Sequence, residues 1–261
     1  MSIAIVVLTH NRLELLRECV ENVLGRTSSE TREIVIWNNA STDGTGAYLD
    51  SLVDPRLRVV HHPHNIGQNA YADALGATTS EFMIELDDDV VDAPQDWDLT
   101  LRDAFVRLPE IGFLAADLEE NPSDRASYDR YHRHLFRAYE VDGIRLLEGP
   151  TGGWCAITSR ELYDRVGGMP RDPRKTYFLE DAAYIRRLAP LGFRRAILDD
   201  LHVLHAGGSL SETSIADKAE FYSELRRRQA RRDAVKRALL AIPFVARLNE
   251  RFQWFERPER S

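Results

Sequence analysis

Three consecutive aspartates, Asp87, Asp88 and Asp89, follow the apolar run Phe82-Met83-Ile84 in the stretch "FMIELDDDVV". Carboxylates this close repel one another and raise the cost of ionisation, so the crowding calls for a compensating positive charge. Side chains alternate along a strand. If that alternation persists to the strand end, Asp87 and Asp89 converge on one face and Asp88 does not. Two carboxylates so placed can hold a hard divalent cation, whose charge offsets their repulsion. The bland alternative is a solvated acidic turn, or Asp89 capping a helix, because short acidic patterns are common.

The elements that must position these groups are legible as an alternation. Apolar runs rich in β-branched residues at Ile3–Leu8, Glu33–Trp37, Leu57–Val60, Phe82–Leu86 and Ile111–Ala115 read as strands. Between them Leu13–Leu24, Gly46–Val53, Asn69–Ala77 and Asp98–Leu108 carry apolar residues at three- and four-residue spacing, as helices do. This is the pattern of βαβ units and predicts an α/β fold with a mainly parallel sheet flanked by helices. In such sheets ligands bind outside the carboxyl ends of the strands. The polar residues there are Thr9-His10-Asn11-Arg12, Asn38 to Asp43, His61 to Gly67, and the aspartates. The segment 119–149, rich in Asp, Arg, Tyr and His, lacks a clear period and reads as a loop or lid between two halves. Ala196–Leu198 is a further strand, with His202 and His205 after it. Trp37 is assigned to the core.

With 261 residues, 43% of them hydrophobic, the chain can form one large domain with an appendage. Two distant cysteines, Cys19 and Cys155, form no CxxC pair, which argues against a disulfide framework or structural zinc and for a reducing compartment. Neither the opening Ile3–Leu8 run nor Ala238–Ala246 is long enough for a signal core or a membrane span, so the expected location is cytoplasmic. The net charge of −8 disfavours general nucleic-acid binding. It also hides an asymmetry, since Lys218–Ser261 carries 12 Lys and Arg against 6 Asp and Glu.

"VVLTHNR", "NNASTDGT", "NIGQNAYADALG" and "LDDD", followed by "GPTGGWCAITSRELYDRVGGMP", "FLEDAAYIRRLAPLGFR" and "LHAGGS", resemble in order and spacing the family 2 inverting glycosyltransferases of GT-A fold. The likeness runs from about Ile3 to about Ser209 and is specific as a set. It implies a Rossmann-like GT-A domain over 1–215, with a nucleotide-binding half 1–118 and an acceptor half 119–215. A basic helical extension then covers 216–261, with Pro243 between two helical stretches.

The resemblance also assigns roles. It implies that Thr9, Asn11, Arg12, Asn38 and Asp43 grip the nucleoside, with Asn65 and Gly67 beside the nucleotide. Ser41 and Thr42 are left to turn chemistry. Relatives carry Asp where this chain has Asn38, and that carboxylate accepts the N3 hydrogen of uracil or thymine. An amide can accept or donate, which loosens the base preference. Asp87 would face the ribose or the metal, and Asp89 would bind Mg2+ or Mn2+ bridging the diphosphate; Asp88 is grouped with the nucleotide side. His205 matches the family histidine near the metal, an imidazole better suited to Mn2+ than to Mg2+. Asp181 would be the general base for the acceptor hydroxyl, or would merely complement the helix N-terminus, with Glu180 supporting it. Gly152, Gly153 and Trp154 would form a sugar and acceptor platform, with a core role for Trp154 left open.

The expected activity is therefore metal-dependent inverting transfer of a sugar from a nucleotide sugar to a saccharide or lipid-linked acceptor hydroxyl, in glycan, polysaccharide or glycoconjugate synthesis. UDP- and dTDP-sugars lead as donors, with GDP-sugars as an alternative. Two rivals are a sugar-phosphate nucleotidyltransferase, disfavoured because "LTHNRLELL" has no triphosphate-binding glycine, and a non-catalytic nucleotide-sugar or glycan-binding module. The basic tail suits docking on the anionic inner face of a membrane, or packing on the acidic body or in a homodimer.

Overall fold

The computed structural model of the chain describes residues 1–124, 127 and 134–207, and scattered positions between 219 and 242. The chain divides into two compact units, Met1–Ser211 and Glu212–Ser261.

In the first unit, β1 (Ile3–Thr9), β2 (Thr31–Asn39), β3 (Leu57–His62) and β4 (Phe82–Asp87) pair in parallel in the order β3-β2-β1-β4. Ile3 to Val7 of β1 are buried on both faces, which explains the unbroken apolar run there. The helices α1 (Leu13–Arg26), α2 (Thr45–Asp50), α3 (Asn69–Gly76) and α4 (Trp97–Arg107) cross between strands. On α1 the buried Leu16, Cys19, Val20 and Val23 form the inward stripe at helical spacing.

Beyond β4 the order continues β9 (Cys155–Ser159), β6 (Ile111–Leu118), β10 (Arg194–His205), β8 (Ile144–Glu148), β7 (Arg137–Val141). β9 is antiparallel to both β4 and β6, whereas β10 is parallel to β6. A short strand β5 (Val90–Asp92) pairs with the end of β10. Helices α5 (Arg160–Arg165) and α6 (Glu180–Leu188) complete the unit. The architecture is α/β, with a mixed sheet that is mostly parallel by paired residues and flanked by helices.

Three elements differ from expectation. The segment 119–149 holds the β7–β8 hairpin, turned at Asp142-Gly143, where both residues have positive φ as such two-residue turns require. β9 inserts an antiparallel strand into the parallel order. β10 runs from Arg194 to His205, so His202 and His205 lie within the strand rather than after it. Trp37 is buried and stacks on His62.

In the second unit the described positions from Ala219 to Leu239 are helical, with an Arg228–Glu224 ion pair at 3.6 Å. The stretch expected after Pro243 lies outside the described residues, as does most of "SYDRYHRHLF". No helix among the described residues is long and apolar enough to cross a membrane.

Candidate functional site

β4 stops at Asp87, and Asp88 and Asp89 form the turn into β5. Strand alternation therefore ends one residue too early to bring Asp87 and Asp89 together. Their convergence comes from the next pairing: β5 lies antiparallel to β10 with His205 opposite Val90, and Ala206 N donates to Asp89 O at 2.8 Å. His205 Nε2 consequently lies 3.0 Å from Asp89 Oδ1 and 3.4 Å from Asp87 Oδ2. One ligand atom from each of Asp87, Asp89 and His205 falls within 4.8 Å of the others. Two carboxylates and an imidazole fit a divalent cation of the Mn2+ type. The other ring nitrogen, Nδ1, is 3.1 Å from Asp124 Oδ1, the kind of carboxylate contact that orients a ligating histidine. Burial favours neutral imidazole, but the Asp124, Asp87 and Asp89 carboxylates outweigh it and push the His205 pKa up to about 12 in the absence of an ion.

Asp88 faces the other way. Its Oδ2 accepts from Thr9 Oγ1 at 2.7 Å and its Oδ1 from Arg12 Nη1 at 2.6 Å. Arg12 Nη2 donates to Asp89 Oδ2 at 2.7 Å and to Gly207 O at 2.9 Å. Burial raises the Asp88 pKa, helped by the Asp89 and Asp87 charges and opposed by Arg12 and Thr9. For Asp89 burial acts the same way but is outweighed by His205 and Arg12, which hold it well below the usual carboxylate range.

On the β9 side, Asp87 N donates to Trp154 O at 3.0 Å, so the glycine-rich turn before β9 abuts the cluster. Gly153 N donates to Asp181 Oδ2 at 3.1 Å, tying that turn to the first residues of α6. The partly buried Trp154 ring packs on the core, its Nε1 donating to Ala116 O at 2.9 Å. A Cβ on Gly152 would meet this ring at 2.7 Å. Burial raises the Asp181 pKa, and the charge of Asp87 adds to it. Glu180 beside it is buried.

The residues expected around the nucleoside lie at the carboxyl ends of β1, β2 and β3, and their side chains first hold those loops together. Asn11, at φ 53°, accepts from Thr42 N at 2.6 Å, and its own N–H donates to Ser41 Oγ at 3.0 Å. Asp43 accepts from Leu13 N and from Thr45 Oγ1, bonds that outweigh burial and lower its pKa. Asn38 Oδ1 accepts from Ser41 N at 2.9 Å, and its amide nitrogen lies 3.0 Å from His61 Nδ1. Asn65 Oδ1 accepts from Asn39 Nδ2 and Gly67 N, both at 2.8 Å. Gly67 admits a close backbone neighbour, and that neighbour is the chain itself: a Cβ there would sit 1.6 Å from Thr176 O.

Four residues given no individual role from the sequence belong to the site or its support. Asp124 sits in the segment without period, where nothing marked it. Asn39 and Asn69 tie loops across the fold, Asn69 Nδ2 donating to Lys175 O at 2.8 Å and Asp172 O at 3.1 Å. Glu85 carried a signal, a charge inside the apolar run of β4. It is 3% exposed, and its Oε2 has no hydrogen-bond partner among the described residues.

The model of the family described as Glycosyl transferase family 2 matches residues 4–167. A curated relative, "Uncharacterized protein y4gI" of Sinorhizobium fredii (strain NBRC 101917 / NGR234), is 26% identical over 186 residues, 64% of this chain and 20% of that protein. The mannosyltransferase PcManGT from Pyrobaculum calidifontis, solved in complex with GDP-Man and Mn2+, superposes with a TM-score of 0.58 at 21% identity, over 80% of this chain and 58% of that one. S. aureus TarS 1-349 in complex with UDP-GlcNAc gives 0.58 at 18% identity, over 80% and 60%. GalNAc-T7 with UDP, GalNAc and Mn2+ gives 0.61 at 15% identity, over 78% and 44%. At these identities the solved structures share the fold with this chain. The chain thus spans a fifth of the curated relative and at most three fifths of these solved chains.

Proposed function

The chain belongs to glycosyl transferase family 2, and we propose that it is a metal-dependent inverting glycosyltransferase that transfers a sugar from a nucleotide-diphosphate donor to an acceptor hydroxyl. The observation that carries this reading is the convergence of Asp87, Asp89 and His205 within 4.8 Å beside a turn that also anchors the partly buried Asp181. A divalent cation held by these three residues, Mn2+ in preference to Mg2+, would neutralise the charge that develops on a nucleoside diphosphate leaving group.

The chain's own groups do the rest. The loops after β1, β2 and β3, with Asn11, Asn38, Asp43, Asn65 and Gly67, take the nucleoside end of the donor. Gly152, Gly153 and Trp154 line the sugar and acceptor end. Asp181, fixed by the Gly153 N–H and pushed toward a more basic carboxylate, takes the proton of the acceptor hydroxyl as its oxygen attacks the anomeric carbon. The bond to the diphosphate breaks on the opposite face, so a single displacement inverts the configuration. The neighbours named above with GDP-Man and with UDP-GlcNAc support a nucleotide sugar as donor, and the Asn38 amide leaves UDP-, dTDP- and GDP-sugars to be told apart by experiment. The acceptor is a saccharide or a lipid-linked glycan. The basic tail supplies membrane docking or a dimer contact, and full-length protein that is not retained by anionic liposomes at low salt removes the membrane option.

The donor reading is tested by thermal shift with UDP-, dTDP- and GDP-sugars. One base class is expected to stabilise the protein with Mn2+, by about 2.7 kcal/mol at a hundredfold excess over Kd, and EDTA is expected to abolish the gain. Stabilisation by none of them, or stabilisation indifferent to EDTA, overturns it.

A further inference from the structure

The guanidinium of Arg12 is engaged within the protein by three hydrogen bonds. Nη1 is committed to Asp88, Nη2 is shared between Asp89 and the Gly207 carbonyl, and Nε is buried without a partner among the described residues. The side chain is 11% exposed. With three N–H groups so committed, Nε buried and the side chain mostly covered, the guanidinium is turned to the protein rather than toward a diphosphate or a base. Its three acceptors come from two places that must be brought together: the Asp88-Asp89 turn after β4, and the backbone two residues beyond His205. Arg12 itself lies just after β1. It therefore bolts both ligand-bearing elements to the central strand. It also decides how Asp89 is used, because Oδ2 is occupied by Arg12 and Oδ1 is the oxygen left facing His205. Asp88, with one oxygen on Arg12 and the other on Thr9, becomes the anchor of this arrangement.

We propose that Arg12 is a positioning residue for the cation site, acting through Asp89 and the end of β10, and that Asp88 and Thr9 serve it in the same way. This reassigns Arg12 from the nucleotide to the metal side. It rests on the metal reading above. Only a planar fork suits the task, since two nitrogens must reach two carboxylates and a carbonyl at once; the single ammonium of lysine keeps the charge but not the geometry.

The test is Mn2+ titration of the full chain without nucleotide, following free Mn2+ by electron paramagnetic resonance, for wild type, Arg12→Lys and Arg12→Ala. UDP and GDP binding in EDTA is measured alongside by calorimetry. Arg12→Lys is expected to bind Mn2+ about 10- to 100-fold more weakly, the usual cost of losing support to a metal ligand, with metal-free nucleotide binding unchanged. Asp88→Asn, which takes the charge from one Arg12 partner and removes no cation ligand, is expected to shift Mn2+ affinity in the same direction and serves where an Arg12 variant does not fold. Mn2+ affinity equal to wild type in Arg12→Lys or in Asp88→Asn overturns the proposal alone, as does a loss confined to metal-free nucleotide binding. A wild-type chain that binds no Mn2+ overturns the metal reading and this proposal together.

Discussion

Replacing Gly67 by alanine tests how the loop after β3 is joined to the segment before α6. Gly67 has φ +58°, and a Cβ there would sit 1.6 Å from Thr176 O and 2.3 Å from its carbonyl carbon. These are backbone atoms, so the segment before α6 must move away. That movement breaks Gln68 N to Thr176 O, at 2.9 Å, and strains the bonds of Asn69 to Lys175 O, to Asp172 O and to Asp172 N. Left-handed alanine costs about 1 kcal/mol, and two or three hydrogen bonds lost at about 1 kcal/mol each bring the total to roughly 3–4 kcal/mol. Gly143 is the control: it has φ +74°, and a Cβ there would meet nothing within 4 Å, so Gly143→Ala incurs the backbone strain alone. In a unit of this size about 1 kcal/mol moves Tm by 2–4 °C, so Gly67→Ala is expected to melt roughly 4–12 °C below Gly143→Ala in differential scanning calorimetry. Because Thr176 lies just before the helix that carries Asp181, turnover is expected to fall with it. Equal melting of the two variants refutes the packing described for this joint.

The proton-acceptor role proposed for Asp181 predicts a pH dependence. Burial first, then the Asp87 charge, raises its pKa, so kcat/KM is expected to fall on acidification at a pH above the usual aspartate value of about 3.9, and a profile flat down to that value counts against the assignment. Glu85 gives a stability signature. Burial, then the charges of Glu180 and Asp181, raises its pKa well above 4.5, so the native state keeps a proton that the unfolded chain releases. Stability contributed by that proton is intact below about pH 4.5 and declines, by about 1.4 kcal/mol per pH unit, until the native group ionises. Glu85→Gln is expected to remove this slope, its Tm gaining on wild type as pH rises from about 5 to about 7, and a Tm difference constant over that range refutes it.

The first half of the fold was legible because β1 and most of β4 are buried on both faces and α1 carries a clear inward stripe: Ile3–Leu8, Phe82–Leu86 and Leu13–Leu24 read true to within a few residues. The second half hid its strands in short or mixed sequence. β9 is five residues long, and β10 opens on Arg194-Arg195 and is interrupted by Asp199-Asp200, so only Ala196–Leu198 stood out. The β7–β8 hairpin did carry a signal in Asp142-Gly143 between paired strands. At the site, residue types were readable and partners were not. The pleat argument reached the pair Asp87 and Asp89 for a reason the structure replaces, since their approach depends on β5 meeting β10, a contact between positions more than a hundred residues apart. The same long-range closure brings Arg12 to Asp88, Asp89 and Gly207, which no local pattern announces.

The central claim is that a cation held at Asp89 and a proton accepted at Asp181 drive one displacement. Its most direct test is turnover of the donor identified by thermal shift, with an authenticated acceptor, by wild type, Asp89→Ala and Asp181→Asn. Wild type is expected to give product of inverted anomeric configuration by nuclear magnetic resonance, and Asp181→Asn to lose about 10²- to 10⁴-fold in kcat while still binding donor. Asp89→Ala is expected to lose both turnover and Mn2+-dependent donor binding. Intact turnover by both variants, or a product of retained configuration, contradicts the account.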